Sequence, residues 1–394
     1  MTAMPMVKLG EVIKPAPVRK AGDQVFPILS MTMHDGLVDQ ESKFKKRVAS
    51  ADLSQYKVIR RDQLVVGFPI DEGVLAFQDL YDEAVVSPAY GVWDVKSPDK
   101  VDPRYLQKFL RSPLALSYYR ARLQGTTARR RSLPSAVFLD LDVLLPSIRE
   151  QRRIAAILDH ADALRAKRRE VLARLDELTQ SIFIDMFGDP VANDREWPSR
   201  YVGDFVAGFD SGRNLVGAAE DVDAHRVLKV SAVTSLAYRE SESKPLPAGY
   251  EPPVNHLVRR GDLLFSRANT AELVGATAFV SDTDGRTALP DKLWRFRWHD
   301  DSPVAPRFVE KLFQRPEFRK TLSDRATGSS GSMKNISRMS VLSIAVGLPP
   351  LKLQRKFEKS VERVESVRSR HLVALDELDA LFASLQARAF RGEL

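Results

Sequence analysis

The sequence has no cysteine among its 394 residues and no long apolar run. The first absence excludes disulfides, thiolate zinc sites, iron–sulfur clusters and cysteine nucleophiles. The second excludes a membrane-spanning helix, which needs about 18 consecutive apolar residues. The N-terminal residues also lack the apolar core of a signal peptide. We therefore expect a cytoplasmic protein.

Motifs of catalysis are also missing. The sequence has no phosphate-binding GxxxxGK[ST] loop, no GxGxxG opening a helix and no GxSxG nucleophile elbow. Its six histidines are scattered, and none stands at a metal-ligand spacing. The carboxylate pair Asp71 and Glu72 is typical of a surface loop, and the Asp94–Lys96 fragment is only a weak nuclease-like pattern. We expect no catalytic residue and no metal site.

The charge is biased only slightly toward positive. Lys and Arg number 60 against 52 Asp and Glu, which gives a formal net charge of +8. This excess is compatible with polyanion binding, and equally with an ordinary basic soluble protein. The apolar fraction of 44% and the charged fraction of 28% are typical of a folded globular chain.

The chain repeats itself at about half its length. The segment that begins at Leu145 aligns without a gap with the segment that begins at Leu348, a constant offset of 203 residues. The same offset continues upstream through Pro113 and Pro316, and further back it steps to 199 and then 193. Such small steps are typical of surface-loop insertions. Each half is therefore one globular block followed by one long segment.

Both long segments carry apolar residues at alternating spacings of three and four, which predicts a heptad seam on a helix. One strongly polar residue interrupts each seam at the same step, Arg168 in the first and His371 in the second. The predicted seam consists of Ile154, Ile157, Leu164, Val171, Leu175, Leu178 and Ile182 in the first helix and Phe357, Val364, Val367, Leu378, Leu381 and Leu385 in the second.

An apolar stripe on a helix of about 40 residues, about 60 Å long, needs a partner along its whole extent. The other helix of the same chain is the economical partner, because the repeat already supplies both strands of an antiparallel intramolecular coiled coil. A coiled coil between two chains is the alternative. The remaining helix positions carry mixed charge, which suits either a solvated face or a docking surface for a partner protein.

The two globular blocks are predicted to be mixed α and β. Short helices are expected over residues 104–111 and 307–314, each ended by the proline that follows, Pro113 or Pro316. β-branched and aromatic runs predict strands over residues 56–59, 64–66, 227–230, 263–265 and 294–298. The fold class is therefore α+β: two mixed blocks related by an internal repeat and separated by two long helices.

Basic clusters are the best leads to function. One lies at Lys43–Arg47, and another, Arg129–Arg131, follows the small residues after Gly125. The matching loop of the second block begins at Gly328 and reaches Lys334. Small residues let backbone N–H groups approach phosphate, and Lys or Arg supplies the charge. A flexible charged loop is the alternative interpretation.

The chain resembles the specificity subunit of a Type I restriction–modification system. Two differing blocks, each followed by a long helix that opens with LPxLxxQ, carry the resemblance. The motif stands at Leu145–Gln151 and again at Leu348–Gln354, and the resemblance covers essentially the whole chain. The second copy has Leu353 where the family usually carries Glu.

The resemblance implies two target recognition domains, each gripping one half of a split, asymmetric double-stranded DNA target, with the coiled coil as a ruler between the halves. It implies a non-catalytic chain on which two methyltransferase subunits dock, with restriction subunits as further partners. S-adenosylmethionine and ATP would be held by those partners, and this chain would hold no cofactor. The domains would then be 1–144 and 189–347 for recognition, with 145–188 and 348–394 as spacer helices.

The resemblance also assigns candidate residues. Gln151, Arg152, Gln354 and Arg355 are the candidates for partner docking. Arg267 and Asn269 are of types that can read base edges. Together with these two, the candidate DNA-binding residues are Lys43, Lys45, Lys46, Arg47, Arg129, Arg130, Arg131, Arg213 and Lys334.

Two rival functions remain open at this point. A nuclease with its own active site would cleave DNA in a metal-dependent way as the purified chain alone. An adaptor with two protein-binding heads would not retain DNA even at low salt. The DNA target sequence, its spacer length and the division between base and phosphate contacts do not follow from residue types.

Overall fold

The structure, a computed structural model, describes residues 5–33, 35–43, 52–124, 132–215, 225–247, 249–328 and 333–394. Packing divides the chain into two compact units. Unit 1 contains Met1–Arg169 and Val373–Leu394, and unit 2 contains Glu170–Leu372.

Unit 1 is built on a four-stranded antiparallel sheet. Its strands are β1 Met6–Lys8, β2 Ile13–Pro15, β3 Arg19–Lys20, β4 Leu29–Thr32, β5 Gly36–Asp39, β6 Lys57–Arg60, β7 Leu64–Val66, β8 Leu75–Phe77, β9 Glu83–Val86, β10 Gly91–Val95 and β11 Asp142–Leu144. Its shorter helices are α1 Leu9–Val12, α2 Gln40–Lys43, α3 Pro103–Leu110, α4 Pro113–Arg122 and α5 Ser135–Leu139. The main sheet has the order β2-β10-β7-β8, beside a β3-β6-β9 sheet and the pairs β4-β5 and β1-β11.

The long helix α6 spans Ile148–Phe187 and the last helix α10 spans Leu351–Ala389. Between them, the strands of unit 2 are β12 Ser199–Tyr201, β13 Val206–Asp210, β14 Arg226–Leu228, β15 Ser243–Pro245, β16 Leu263–Ser266, β17 Ala268–Asn269, β18 Thr277–Phe279, β19 Thr287–Ala288, β20 Leu293–Trp298, β21 Lys334–Asn335 and β22 Ala345–Gly347. The shorter helices there are α7 Pro306–Gln314, α8 Pro316–Arg325 and α9 Arg338–Leu342.

Unit 2 repeats the frame of unit 1. Its four-stranded sheet has the order β13-β20-β16-β18, and its end pair is β12-β22. The registers agree as well, because Gly91 lies opposite Val66 in unit 1 and the equivalent Trp294 lies opposite Phe265 in unit 2. In its three-stranded sheet β15-β14-β19, the parallel pair of Val227 and Ala288 repeats the parallel bridge of Ile28 and Val85 in unit 1. Unit 2 also has the short pair β17-β21. One frame with different additions is what the sequence repeat predicts.

The two long helices pack antiparallel. In unit 1, Arg165 of α6 bonds to Asp379 of α10, and the earlier residue Arg153 donates to the backbone oxygen of Leu394 over 2.7 Å. In unit 2, Arg368 of α10 donates to Asp176 of α6 over 2.9 Å. The α+β class and the antiparallel intramolecular pairing of the long helices are thus confirmed.

The residues of the predicted seam differ in how far they are buried in the structure. Leu164, Leu178 and Leu381 of the predicted seam are exposed, with relative accessibilities of 39%, 44% and 50%. Buried apolar positions of the two helices outside the predicted seam include Leu158, Leu172 and Val361. The other predicted members divide into Ile154 and Phe357, which are buried, and Ile157, Val171, Leu175, Ile182, Val364, Val367, Leu378 and Leu385, which are half-buried.

The prolines after the first short helices start new helices. Pro113 is the first residue of α4 and Pro316 the first residue of α8. The prediction that these prolines end a helix was therefore incomplete. Proline is favoured at the first helical position, because its missing N–H has no partner there and its φ is already helical. Of the predicted strands, 64–66 matches β7, and the other four overlap β6, β14, β16 and β20 with shifts of one or two residues at their ends.

Aromatic side chains close both cores. In unit 1, the Phe390 ring at the end of α10 meets Tyr105 and Phe109 of α3 at 5.8 and 5.1 Å between centroids. In unit 2, the Phe187 ring at the end of α6 meets Phe308 of α7 at 4.9 Å. Phe187 and Phe390 stand at the repeat offset of 203, so each long helix ends by inserting a phenylalanine at an equivalent position.

Candidate nucleic-acid interface

Each unit carries a hairpin at the position of its predicted basic loop. In unit 1, Gln124 and Ser132 exchange two backbone hydrogen bonds of 3.0 Å. In unit 2, Thr327 and Asn335 exchange two bonds of 2.8 Å. The two pairs stand at the repeat offset of 203 residues. The same structural position is therefore available in both units for a loop that contacts phosphate.

Much of the predicted DNA-binding set lies outside the residues that the structure describes. This is so for Lys45, Lys46 and Arg47 of the first cluster and for Arg129, Arg130 and Arg131 of the second. Lys43 is described at the end of α2, where it forms an ion pair with Asp35 at 2.9 Å. Arg213 is exposed beyond the end of β13. The structure therefore describes the residues at the base of each predicted loop, but not the loop residues themselves.

Helix α2 positions Lys43, and Asp39 caps that helix. The Asp39 carboxylate accepts a hydrogen bond from the Ser42 backbone N–H over 3.0 Å and another from the Tyr81 hydroxyl over 2.8 Å. These two bonds lower the pKa of the Asp39 carboxyl below its ordinary value, and the bond from the Ser42 backbone has the larger effect. A carboxylate here stabilises the helix start.

In unit 1, the hairpin stem contains a stacked cation. The Arg122 guanidinium at the end of α4 lies 3.9 Å from the centroid of the Tyr118 ring. Together with Gln124, Ala136, Val137 and Asp140 these residues line an open cavity of about 440 Å³. An exposed arginine on an aromatic face is a surface on which phosphate or a base can pack.

In unit 2, the equivalent arginine is held by the protein itself. Arg325 stands at the repeat position of Arg122, and it donates to the Ser340 carbonyl over 3.1 Å and to the Ser343 hydroxyl over 2.9 Å. The stem of this hairpin is therefore pinned to α9. The same residue in the same frame has different surroundings, so the two units present different surfaces.

The structure brings together three of the unit 2 candidates. Asn269 of β17 lies directly opposite Lys334 of β21, and Arg267 precedes β17. The Lys334 ammonium donates to the Ser323 carbonyl over 3.0 Å. Arg267 donates through Nε to the Asp291 carbonyl over 2.9 Å, and its own carbonyl accepts from the Ile336 N–H over 3.0 Å. These bonds hold the side chains of Lys334 and Arg267 next to the hairpin stem.

A further basic surface in unit 1 has no counterpart among the sequence-based candidates. Lys14, Arg60 and Arg61 line an open cavity of about 550 Å³, beside Asp94. The Asp94 carboxylate accepts from Gln63 over 2.7 Å and lies 3.7 Å from Arg60. Only the Arg60-Arg61 pair was visible in the sequence, as part of the repeat, because its neighbours come from distant strands.

Within the described parts of the chain, no group of His, Asp or Glu is arranged to hold a metal ion. Of the helices in those same parts, none is long and apolar enough to cross a membrane.

Comparison with known proteins gives the relatives of this chain. The chain is 30% identical over 183 residues to the EcoEI specificity subunit of Escherichia coli and 31% identical over 176 residues to the EcoKI specificity subunit of E. coli strain K12. These matches cover 44% and 43% of this chain, but only 31% and 37% of the relatives. The StySPI specificity subunit of Salmonella potsdam is 22% identical over 317 residues, which are 75% of this chain and 67% of that one. All three are specificity subunits of Type I restriction enzymes.

The chain is similar in sequence to specificity subunits of Type I restriction enzymes. No protein-family model matches it. The fold agrees with two solved structures. One is a chain from a structure of complex assembly and conformational transition in the type I R-M system, with a TM-score of 0.57, 17% identity and coverage of 99% of this chain and 98% of that chain. The other is the Type-I S subunit from M. genitalium, with a TM-score of 0.55, 13% identity and coverage of 98% and 96%.

The glutamines of the LPxLxxQ motif, by which the chain resembles the specificity subunits, are internal. Gln151 is fully buried: its side-chain oxygen accepts from the Asp102 N–H over 2.9 Å, and its amide donates to Lys100 and Pro146 carbonyls over 2.9 and 2.8 Å. These bonds tie the start of α6 to the start of α3. Burial corrects the prediction that Gln151 docks a partner, since no surface of the side chain is available for one.

Gln354 repeats this arrangement in unit 2. It is fully buried, accepts from the Ala305 N–H over 2.9 Å, and donates to the Pro303 and Pro349 carbonyls over 3.2 and 2.7 Å. Its assignment to partner docking is corrected for the same reason. The neighbouring arginines Arg152 and Arg355 are exposed, so both remain candidates for that role.

Unit 1 has a different surface suited to docking, along its helix pair. Ile157, Leu164, Leu378, Leu381 and Leu385 line an open apolar groove of about 450 Å³ between α6 and α10. These are residues of the predicted seam. Their apolar character was visible in the sequence, but which of them the helix pair leaves exposed was not.

Proposed function

We propose that this chain is the non-catalytic DNA-recognition subunit of a Type I restriction–modification complex. Each globular block binds one half of a bipartite, asymmetric target in double-stranded DNA. The proposal rests on the resemblance in sequence and on the relatives, which are specificity subunits. The protein acts in the cytoplasm, where its target DNA lies.

One observation supports two different half-sites above all others. The hairpin stems stand at the same position in both units, but Arg122 stacks on Tyr118 while Arg325 is bound to Ser340 and Ser343. Sequence readout depends on which groups are free to meet base edges and phosphates. Two units that share a fold but present different side chains are suited to two different half-sites.

Two methyltransferase subunits dock on the chain, and restriction subunits can join them. S-adenosylmethionine and ATP are bound by these partners rather than by this chain. The apolar groove of unit 1, lined by Leu164, Leu381 and their neighbours, is the surface we assign to a methyltransferase helix. Leucines exposed at helical spacing on two adjacent helices suit the apolar face of a further helix.

Mapping of methylated adenines tests this function. The chain is co-expressed with a Type I adenine methyltransferase subunit in a host that lacks other adenine methylation. We expect methylation at one asymmetric sequence in two parts, separated by a fixed gap. Exchange of the residues between β16 and α9 for those of another specificity subunit should change one part and leave the other intact.

Three results would contradict the proposal. A palindromic methylated site would show that the two blocks read the same sequence. Metal-dependent cleavage by the purified chain alone would identify it as a nuclease. Failure to retain duplex DNA at low salt, with and without the methyltransferase, would favour an adaptor that binds only proteins.

A further inference from the structure

Two arginines of unit 2 converge on one indole ring. The Arg267 guanidinium lies 5.9 Å from the centroid of the Trp294 ring, and the Arg338 guanidinium lies 5.6 Å from the same centroid. Arg267 comes from the turn before β17, and Arg338 is the first residue of α9. Residues 71 positions apart in sequence thus both lie near the same ring.

The ring that holds them is rigid. Trp294 is buried, and its indole packs nearly parallel to Phe209 and Phe265, with centroids 4.9 and 5.8 Å away. The packed ring is therefore a fixed surface against which the two guanidinium groups lie. A fixed aromatic ring orients a guanidinium and leaves its N–H groups free to bind an anion.

The charge around the two arginines is poorly balanced. The nearest carboxylate is that of Asp291, 4.0 Å from Arg267, at the limit of an ion pair. Among the residues that the structure describes, no carboxylate pairs with Arg338, which is exposed. Lys334, on the adjacent β21, adds a third positive charge next to Asn269. Like charges held together in this way are stabilised by an anion between them.

The arrangement is specific to unit 2. At the repeat offset of 203, Gly91 stands in place of Trp294 and Ser135 in place of Arg338. Unit 1 therefore has neither the ring nor the second arginine at this position. Unit 1 has the same fold without this pair of arginines on a tryptophan, so the fold does not require it. Binding of a ligand by unit 2 explains the arrangement better.

We propose that Arg267 and Arg338 together bind a backbone phosphate of duplex DNA, and that this contact fixes the position of the unit 2 half-site on the β17-β21 ladder. Guanidinium groups bind phosphate through two parallel N–H···O bonds, which fixes orientation as well as distance. With the phosphate held here, Asn269 on β17, two residues after Arg267, is in position to meet a base edge. The proposal rests on the DNA-binding function above and adds Arg338 to it.

The salt dependence of DNA binding tests the contact. The full chain is titrated against a labelled duplex at several salt concentrations, and log Kd is plotted against log salt. Each phosphate contact contributes about 0.9 to the slope. We expect Arg338→Gln to reduce the slope by about 0.9, and Arg338→Lys, which keeps the charge, to restore most of it. Arg363→Gln, on an exposed position of α10 in the same unit, is the matched control and should leave the slope unchanged.

The outcomes separate this contact from the function as a whole. If the wild-type chain binds duplex DNA and Arg338→Gln has the wild-type slope, the phosphate contact is wrong and the function stands. If Arg338→Gln and Arg363→Gln reduce the slope equally, the effect is one of general charge and the contact is again wrong. If the wild-type chain binds no duplex DNA at the lowest salt, with or without the methyltransferase subunit, the proposed function and the contact both fail. Because Arg338 is exposed, its substitution leaves the core of unit 2 intact, and a circular dichroism melt confirms this.

Discussion

Arg165 of α6 donates a hydrogen bond to Asp379 of α10, and the repeat places a second such pair at Arg368 and Asp176. The Arg165 guanidinium also lies 4.3 Å from the centroid of the Phe382 ring. Each member of the first pair corresponds to the like residue of the second at the offset of 203. The long helices therefore join through the same polar contact twice, once in each unit.

The first prediction concerns the strength of this contact. Arg165 is largely buried and Asp379 partly so, and a polar pair at a helix seam fixes register. A double-mutant cycle of Arg165→Met and Asp379→Asn should give a coupling of about 1 kcal/mol in the free energy of unfolding, above the median for exposed pairs. The control cycle uses Arg174 and Glu170, an exposed pair four residues apart on α6, and should give about 0.3–0.5 kcal/mol. Equal couplings in the two cycles would argue against a special role for the seam pair.

The second prediction concerns the buried glutamines. Gln151→Ala leaves the Asp102 N–H and two carbonyls without partners in a buried place. An unsatisfied buried group costs about 1–3 kcal/mol, so we expect a loss of that size in urea unfolding, and the same for Gln354→Ala. Gln180→Ala, at an exposed position of α6, should cost less than about 0.5 kcal/mol. A Gln151→Ala chain of unchanged stability that no longer binds its partners would restore the docking role instead.

The third prediction concerns the groove of unit 1. Leu164→Glu together with Leu381→Glu places two charges in an apolar surface without disturbing the core, because both side chains are exposed. We expect the chain to fold normally and to lose its association with a co-expressed methyltransferase subunit in size-exclusion chromatography. Val373→Glu, an exposed apolar position of α10 that does not line the groove, is the control and should keep the complex. Retention of the complex by the double variant would place the docking surface elsewhere.

The fourth prediction concerns pH. Hydrogen bonds from the Ser42 N–H and the Tyr81 hydroxyl lower the pKa of Asp39 in the folded protein. The ionised carboxylate therefore stabilises the fold above the unfolded-state pKa, and this contribution is lost as the pH falls through the lower, folded-state pKa. Asp39→Ala should be less stable than the wild type at pH 7, by about 1 kcal/mol for a helix cap. The difference should shrink as the pH falls from 5 to 3, as measured by urea unfolding. A difference that is independent of pH would mean that the cap does not depend on charge.

Some features of this protein follow from the sequence alone. The offset of 203 residues gave two related units, and the heptad spacing gave two long helices that pair within one chain. The strands at Leu64–Val66 and Leu293–Trp298 are close to their predicted positions. These features depend on local periodicity and on a repeat, and both are written directly in the order of the residues.

Other features were decided by the tertiary structure. A stripe that contains both Ile157 and Leu158 does not tell which of them faces the partner helix, because 3.6 residues per turn allow either. Packing placed Leu158 in the core of unit 1 and left Ile157 and Leu164 lining the groove between α6 and α10. The sequence alone suggests that the motif residue Gln151 is a surface residue. Only the folded chain shows that the start of α3 lies against it.

The convergence of Arg267 and Arg338 on Trp294 joins three segments distant in sequence, and no local pattern encodes it. The sequence thus determined which elements form and how often they repeat. The faces they present were decided by packing, because burial depends on residues that meet only in the folded chain.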